Sequence, residues 1–473
     1  MAVAESAAPP AQPIPREHGV YRIRHTLASR FAFLVICVAI VLSALAYGTV
    51  HYWALGLFNL GGLTLLVLWV VDAWRLGNLR VSRNVLQLPL IGALILGIIQ
   101  ILPLSAGPVS LDPNSTRLVL VQLATLLIYF SATLVFIDTP HRLHVMVRTI
   151  MIFGFCLALF GLTQSFTSPT KVYWMRELNQ STAFGPFINR HHFAGYMELT
   201  IALPLGLLFA GAVDREKIIL YLFIAGLMGV ALVMTSSRGG IVSLVAEVFF
   251  LVIVTAIWRK PSERRRTRSG RLRRIGSRVG MATALLVGLF IGVVLLGGEF
   301  SINRFIDTVN TDDPSTGRFH FWSVTLEIIK AHPYLGTGLG AFGVIYTKYD
   351  SRNGLFRLEQ AHNDYLQVFS DGGIVLAALA FAFVAILFWK ALSRANSRDD
   401  FRRGVALASL SGCFGVLVHS FFDFTLHTTS NALLFLVLAA LATMNGRVED
   451  APARKRRRRS NPQITQNEPD QST

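Results

Sequence analysis

Three short stretches carry side chains that could do chemistry. Thr235-Ser236-Ser237-Arg238-Gly239-Gly240 sets a guanidinium between two long apolar runs, a place where charge is expensive unless it snorkels or meets an anion. The two glycines let a ligand or a neighbouring backbone come close, and the helix that follows offers its N-terminus to negative charge. Arg318, in Asp312-Asp313-Pro314-Ser315-Thr316-Gly317-Arg318-Phe319-His320-Phe321-Trp322, stands near the start of an expected helix. With Arg238 it would clamp a multiply charged anion such as a diphosphate; a salt bridge to Asp312 or Asp313 is the structural alternative. Glu359-Gln360-Ala361-His362-Asn363-Asp364-Tyr365-Leu366-Gln367 supplies a histidine among polar neighbours, the residue type suited to taking a proton from a hydroxyl near neutral pH.

Two further sets are weaker. His419, Asp423 and His427 fall at i, i+4 and i+8, a spacing that resembles metal ligation, although a hydrogen-bonded polar patch at a helix end is the expected outcome. Asn189 precedes Arg190-His191-His192 as a cap for the next apolar run, and Glu198 lies one turn deeper as an intramembrane carboxylate, either functional or paired with a cation. No metal site is expected. No Gly-rich phosphate loop followed by Lys occurs, which removes nucleotide hydrolysis from consideration. Cys37, Cys156 and Cys413 all fall inside apolar runs and read as small buried residues, without a disulfide framework.

The elements that must hold these residues are membrane helices. With 53% hydrophobic and 15% charged residues and a mean hydropathy of +0.51, the 473-residue chain has lipid as its main solvent. A helix needs about 20 apolar residues to cross a hydrocarbon core of roughly 30 Å. Such runs fall at 31–50, 53–74, 85–104, 118–138, 146–166, 192–212, 218–236, 239–258, 279–297, 373–391, 404–421 and 431–446. The expected organisation is an N-tail over 1–30, nine spans within 31–297 that include a basic loop at 259–278, a long loop over 298–372, three spans within 373–446, and a basic tail over 447–473. Within the long loop, apolar residues from Phe319 to Ile329 recur at helical spacing with Ser315 as cap, and a second helix is expected from near Glu359. Pro333-Tyr334-Leu335-Gly336-Thr337-Gly338-Leu339-Gly340 makes a turn-rich connection between them.

Charge sets the orientation. The net charge of +17 could suggest nucleic acid, but about three quarters of the 44 Lys and Arg collect on alternate loops and both tails, as the positive-inside rule describes. Arg259 to Arg278 and Arg454 to Arg459 are the densest blocks, and no aromatic residues interleave them to stack on bases. They read as cytoplasmic anchors that touch anionic lipid headgroups, with no nucleic-acid partner. Both termini are then cytoplasmic, and the 298–372 loop is a small helical cap on the outer face.

These residues resemble the O-antigen ligase and polymerase superfamily of bacterial membrane glycosyltransferases. The resemblance runs from about residue 150 to 445 and is carried by Ser237-Arg238-Gly239-Gly240, Gly317-Arg318 with Trp322, His332-Pro333 with Gly336, Gly338 and Gly340, and Ala361-His362-Asn363-Asp364-Tyr365. In the ligases a His-Asn pair is followed after nine residues by Gly, and Gly373 occupies that place; three residues on, the pattern has Gly, Thr or Tyr and this chain has Leu376. The resemblance implies an all-α integral membrane fold of about 12 transmembrane helices with a helical periplasmic cap, related to glycosyltransferases of the C type. It implies an inverting, metal-independent transfer without cofactor, in lipopolysaccharide or related envelope-glycan synthesis at the periplasmic face of the bacterial inner membrane. The donor would be a glycan on undecaprenyl diphosphate, and the acceptor a hydroxyl on a glycolipid, another glycan or a protein. Arg238 and Arg318 would hold the diphosphate and His362 would be the base, with Asn363, Asp364, Tyr365, Glu198, Asn189 and Asp423 in support. A polymerase of the same superfamily is the near alternative. A flippase for lipid-linked glycans is the distant one, disfavoured by the absence of paired halves and by the gathering of polar residues in one loop.

Orientation gives the first test. Cysteines introduced at 238 and 362 should react with a membrane-impermeant thiol reagent from the same, non-cytoplasmic side of intact cells; labelling from opposite sides would end this reading.

Overall fold

The computed structural model describes residues 25–103, 107–178, 184–258, 275–292, 295, 317–352, 358–444 and 448. Its regular structure is helical apart from a two-residue hairpin pairing Lys171–Val172 with Arg176–Glu177. In chain order the helices are α1 Leu27–Leu45, α2 Tyr52–Leu76, α3 Gln87–Ile101, α4 Pro113–Phe136, α5 Pro140–Thr167, α6 Arg190–Ala210, α7 Ile218–Met234, α8 Arg238–Ile257, α9 Ile275–Gly292, α10 Arg318–Ala331, α11 Phe342–Tyr349, α12 Asp364–Arg394, α13 Asp400–His419 and α14 Thr429–Thr443. The chain is an all-α integral membrane protein. Among the described residues ten helices are long and apolar enough to cross a membrane, while α3 and α14 are shorter. Fifteen residues reach only about 22 Å as helix. For α14 the shortfall matters little, because all of it except Ala432 is buried against protein rather than lipid.

The bundle is built around α6, α13 and α14. Every residue of α6 from His192 to Ala210 is buried, and Gly206 lies directly on Ala408 of α13; small residues let membrane helices approach closely. By contrast α2 and α9 turn most of their surface outward. Two guanidinium groups sit buried in the first turn of α13. Arg402 donates to the Ala442 and Met444 carbonyls at the end of α14, and Arg403 to the Ala210 carbonyl that closes α6, so each satisfies orphan acceptors of a helix end. A second ion cluster ties α1, α2, α4 and α5 together, with Arg80 bridging Asp72 (2.7 Å) and Asp138 (2.8 Å).

At the other end of the bundle lies a cap built from α10 and α11. Val324, Ile328, Phe342, Ile345, Tyr346 and Ala361 form its own small core. Helix α10 falls where the apolar spacing predicts a loop helix, starting after Gly317 at φ +83°; Ser315, Asp312 and Asp313 lie outside the described residues, as do 1–24, 259–274 and 451–473. Helix α11 has no clear apolar signature in the sequence. The expected helix near Glu359 starts instead at Asp364, because Asn363 adopts extended backbone and its side-chain oxygen accepts the Tyr365 and Leu366 amides. From there it runs on into the membrane span, so the expected boundary at 372/373 falls inside one helical run. One cysteine also differs from expectation: Cys37 and Cys413 are buried, but Cys156 is exposed on the outward flank of α5.

The run is broken at Gly373, with φ +59° and ψ −158°. This break is what the Pro333–Gly340 connection uses. Ile374 donates to the Pro333 carbonyl (2.9 Å), Thr337 to the Ser370 carbonyl (2.9 Å), and Gly338 to the Asp371 carbonyl (3.1 Å). Gln100 of α3 completes the seam, donating to Leu335 and Asp371 carbonyls and accepting from Leu339. Irregular backbone at membrane depth survives only when protein satisfies it, and here every freed group named has a protein partner.

A Cβ on Gly373 would stand 2.3 Å from the Tyr334 carbonyl oxygen, and its backbone conformation is open essentially to Gly alone. Gly373→Ala should therefore lose about 2 kcal/mol or more, visible as a lowered melting temperature in detergent; an unchanged melt would show that the seam is not held as described.

Candidate functional site

The site is assembled at the end of the bundle beneath the cap, around a carboxylate in the turn between α13 and α14. Helix α13 stops at His419, and the chain doubles back through Thr425–His427 before α14. Asp423 in this turn is 1% exposed. Its Oδ1 lies 3.3 Å from Nδ1 of His362 and accepts the Phe424 amide at 2.9 Å. Its Oδ2 faces Nη2 of Arg318 at 3.5 Å and Nδ1 of His191 at 3.9 Å. Three cationic or protonatable side chains from α10, α6 and the 358–363 segment thus converge on one buried acid. Burial alone would push the Asp423 carboxyl up, but the hydrogen bond from His362 and the charges of His191, His362 and Arg318 outweigh it and hold the carboxyl well below the usual range.

His362 is held in an unusual conformation for a non-glycine residue, at φ +51°. Such a residue persists where its surroundings over-determine it. The Ala361 amide donates to Gln367 Oε1 at 2.7 Å and the Asn363 side chain donates to the Phe421 carbonyl at 3.2 Å, fixing the chain on both sides. Phe424 meets the imidazole edge-on at 4.8 Å. With Nδ1 turned to Asp423, a hydrogen on that nitrogen leaves the Nε2 lone pair for another group.

Arg318 is the first residue of α10, and Arg238 the first of α8. Ser237 caps α8 by accepting the Gly240 amide at 3.2 Å, and the same hydroxyl is 2.9 Å from His191 Nδ1. His191 Nδ1 therefore stands between the Arg238 turn, where it meets Ser237, and the carboxylate 3.9 Å away that faces His362 and Arg318. The half-buried Arg238 enters at the N-terminus of a 20-residue helix, a position that favours an anion on charge grounds.

The remaining candidates frame this centre. Asn189 caps α6 by accepting the His191 amide at 2.8 Å and so sets that imidazole in place. Asp364 accepts from the Ser420 hydroxyl (2.7 Å) and from His427 (2.8 Å), pinning the α13–α14 turn, while the Tyr365 hydroxyl donates to the Leu417 carbonyl (2.7 Å). Glu198 meets His419 Nδ1 at 2.7 Å, both wholly buried. His419, Asp423 and His427 do not act as one stripe, because the helix ends and each takes a different partner. Among the described residues no group of three or more His, Cys, Asp or Glu side chains is placed to hold a metal ion. His191 is the residue that sequence reasoning missed as a site member, and His427, weighed there only as a metal ligand or part of a polar patch, pairs with Asp364. The signal for His191 was its place just after a helix-capping Asn in a run that also carries Arg190 and His192.

The pair His427–Asp364 gives a pH test. Burial alone would lower the His427 imidazole, but the hydrogen bond and charge of Asp364 raise it above the ordinary 6.5. A group raised on folding contributes stability in full below its unfolded value and loses it as pH rises through the folded one. The melting temperature of the native protein should exceed that of His427→Asn most at pH 6 and less by pH 9; a gap that widened with pH would contradict the pairing.

No curated protein matches the chain. Residues 223–381, roughly a third of the sequence and the part that holds Arg238, Arg318 and His362, match the family described as O-antigen ligase, and this match supports a membrane enzyme of the O-antigen ligase and polymerase superfamily.

Proposed function

We propose that the protein transfers an oligosaccharide from undecaprenyl diphosphate to an acceptor hydroxyl at the periplasmic face of the bacterial inner membrane. The observation that carries this is the convergence on Asp423 of His362 and Arg318, with the Arg238 turn joined through Ser237 and His191. His362 Nε2 takes the proton from the acceptor hydroxyl while that oxygen bonds to the anomeric carbon. The bond from the anomeric carbon to the diphosphate breaks, and its electron pair stays with the departing phosphate oxygen. Arg238 and Arg318 meet the growing charge there, the role in which preorganised cations lower a barrier most. Attack opposite the leaving group inverts the anomeric centre, and no step calls for a metal.

Two features support a lipid-borne donor. An apolar cavity of about 480 Å³, lined by Leu90, Phe369, Leu376, Phe383, Leu426 and Phe435, also has Asp364 and Ser420, the pair that pins the α13–α14 turn, in its wall; it suits a polyprenyl tail. The basic blocks on alternate loops support the outward orientation, where nucleotide-linked sugars are absent. We take ligation onto a glycolipid as the leading reading and extension of a lipid-linked glycan as the near alternative.

With purified enzyme, lipid-linked donor and a panel of acceptors, His362→Ala should lose at least about a hundredfold in turnover while still binding donor. Arg238→Lys, which keeps charge but loses the planar fork, should lose at least about tenfold, or about 1.4 kcal/mol of barrier. Donor movement across vesicles that survives His362→Ala, without any transfer product from the native protein, would favour a flippase instead.

A further inference from the structure

Below the Arg238 turn lies a buried polar pair that the proposed reaction does not use. Glu198 on α6 and His419 at the end of α13 are both fully buried, with Oε1 and Nδ1 2.7 Å apart. Among the described residues His419 Nε2 and Glu198 Oε2 have no hydrogen-bond partner in the protein. An unpaired buried polar atom is costly, so two of them side by side need a reason.

Their position supplies one. A Cβ placed on Gly239 would stand 2.9 Å from His419 Nε2 and 2.7 Å from its Cδ2, while one on Gly240 would stand 3.3 Å from Glu198 Oε1. The imidazole and the carboxylate therefore pack on the two glycines in the first turn of α8, and at Gly239 a side chain would press into the imidazole. The orphan Nε2 faces the N-terminal turn of α8, where the helix already presents partial positive charge and Arg238 adds a full one. The acids on the elements around His419 are Glu198 from α6, Glu247 from α8, Asp423 from the α13–α14 turn and Asp364 from α12. Glu198, Asp423 and Asp364 have protonatable partners, His419, His362 and His427 respectively.

We infer that Glu198 and His419 form a buried ion pair that seats the first turn of α8 against the donor's diphosphate, with His419 as a positioning residue whose Nε2 backs Gly239. This rests on the reading of Arg238 as a diphosphate ligand. The pair sets the height of the turn and supplies positive charge from behind it, while Glu198 keeps that charge in place when no ligand is bound.

The probe is inorganic pyrophosphate, titrated calorimetrically into the detergent-solubilised full chain, beside steady-state transfer with lipid-linked donor. His419→Gln should weaken pyrophosphate binding at least tenfold and raise KM for donor far more than it lowers kcat. Glu198→Gln should act in the same direction, and the double variant should lose no more than the worse single one, as expected of residues that act as a unit. Gly239→Ala, which removes no polar group, should weaken binding by pressing on the imidazole, and should have a smaller effect in a His419→Ala background, where the imidazole is gone and Phe422 still touches the new methyl. Native pyrophosphate affinity in His419→Gln and Gly239→Ala, with Arg238→Ala binding lost, would overturn the inference and leave the Arg238 reading intact. A kcat that falls with the folded fraction at unchanged KM would also overturn it, since that marks structural support alone. Native affinity in Arg238→Ala would remove the Arg238 reading and this inference with it.

Discussion

A single carboxylate, almost without solvent contact, is the constraint on which the site depends. Asp423 could not remain charged at 1% exposure without hydrogen-bond donors and positive charge around it, and the fold delivers them from three separate parts of the chain: the Arg318 guanidinium from the start of α10, and the imidazoles of His191 from the start of α6 and His362 from the segment before α12. The charge of Asp423 in turn holds these three side chains close to one another. This mutual dependence explains why the site appears where it does. It forms at the place where the central helix α13 ends and its turn can reach sideways to all of them.

The match over residues 223–381 covers the three residues singled out from sequence but leaves Asp423 and His191 outside. The centre is therefore completed by parts of the chain beyond the matched segment. The start of α6 provides one imidazole and the turn after α13 provides the acid, so the activity we propose belongs to the whole bundle rather than to a detachable unit.

Much of the architecture was legible in the sequence because lipid imposes a simple rule. All twelve apolar runs correspond to helices, although α3 and α14 are shorter than a bilayer requires, and burial in protein explains how α14 can be. Local chemistry was less legible. The start of α12 moved from 359 to 364 because one Asn side chain caps it, and the break at Gly373 depends on a loop more than 30 residues away, which no local pattern announces. The spacing of His419, Asp423 and His427 suggested one face of a helix, yet that helix ends at His419 and the three residues go to three partners. Cys156 misled for a related reason: an apolar run in a membrane helix says which solvent surrounds it, not which flank meets protein.

The buried guanidinium groups of α13 bear on how the molecule is made. Arg402 finds its acceptors at Ala442 and Met444, and the ribosome adds those residues some forty positions after it. Until α14 has emerged and docked, α13 carries a guanidinium that lacks two of the acceptors it uses in the finished bundle, so the seating of α13 is complete only when the last helix arrives.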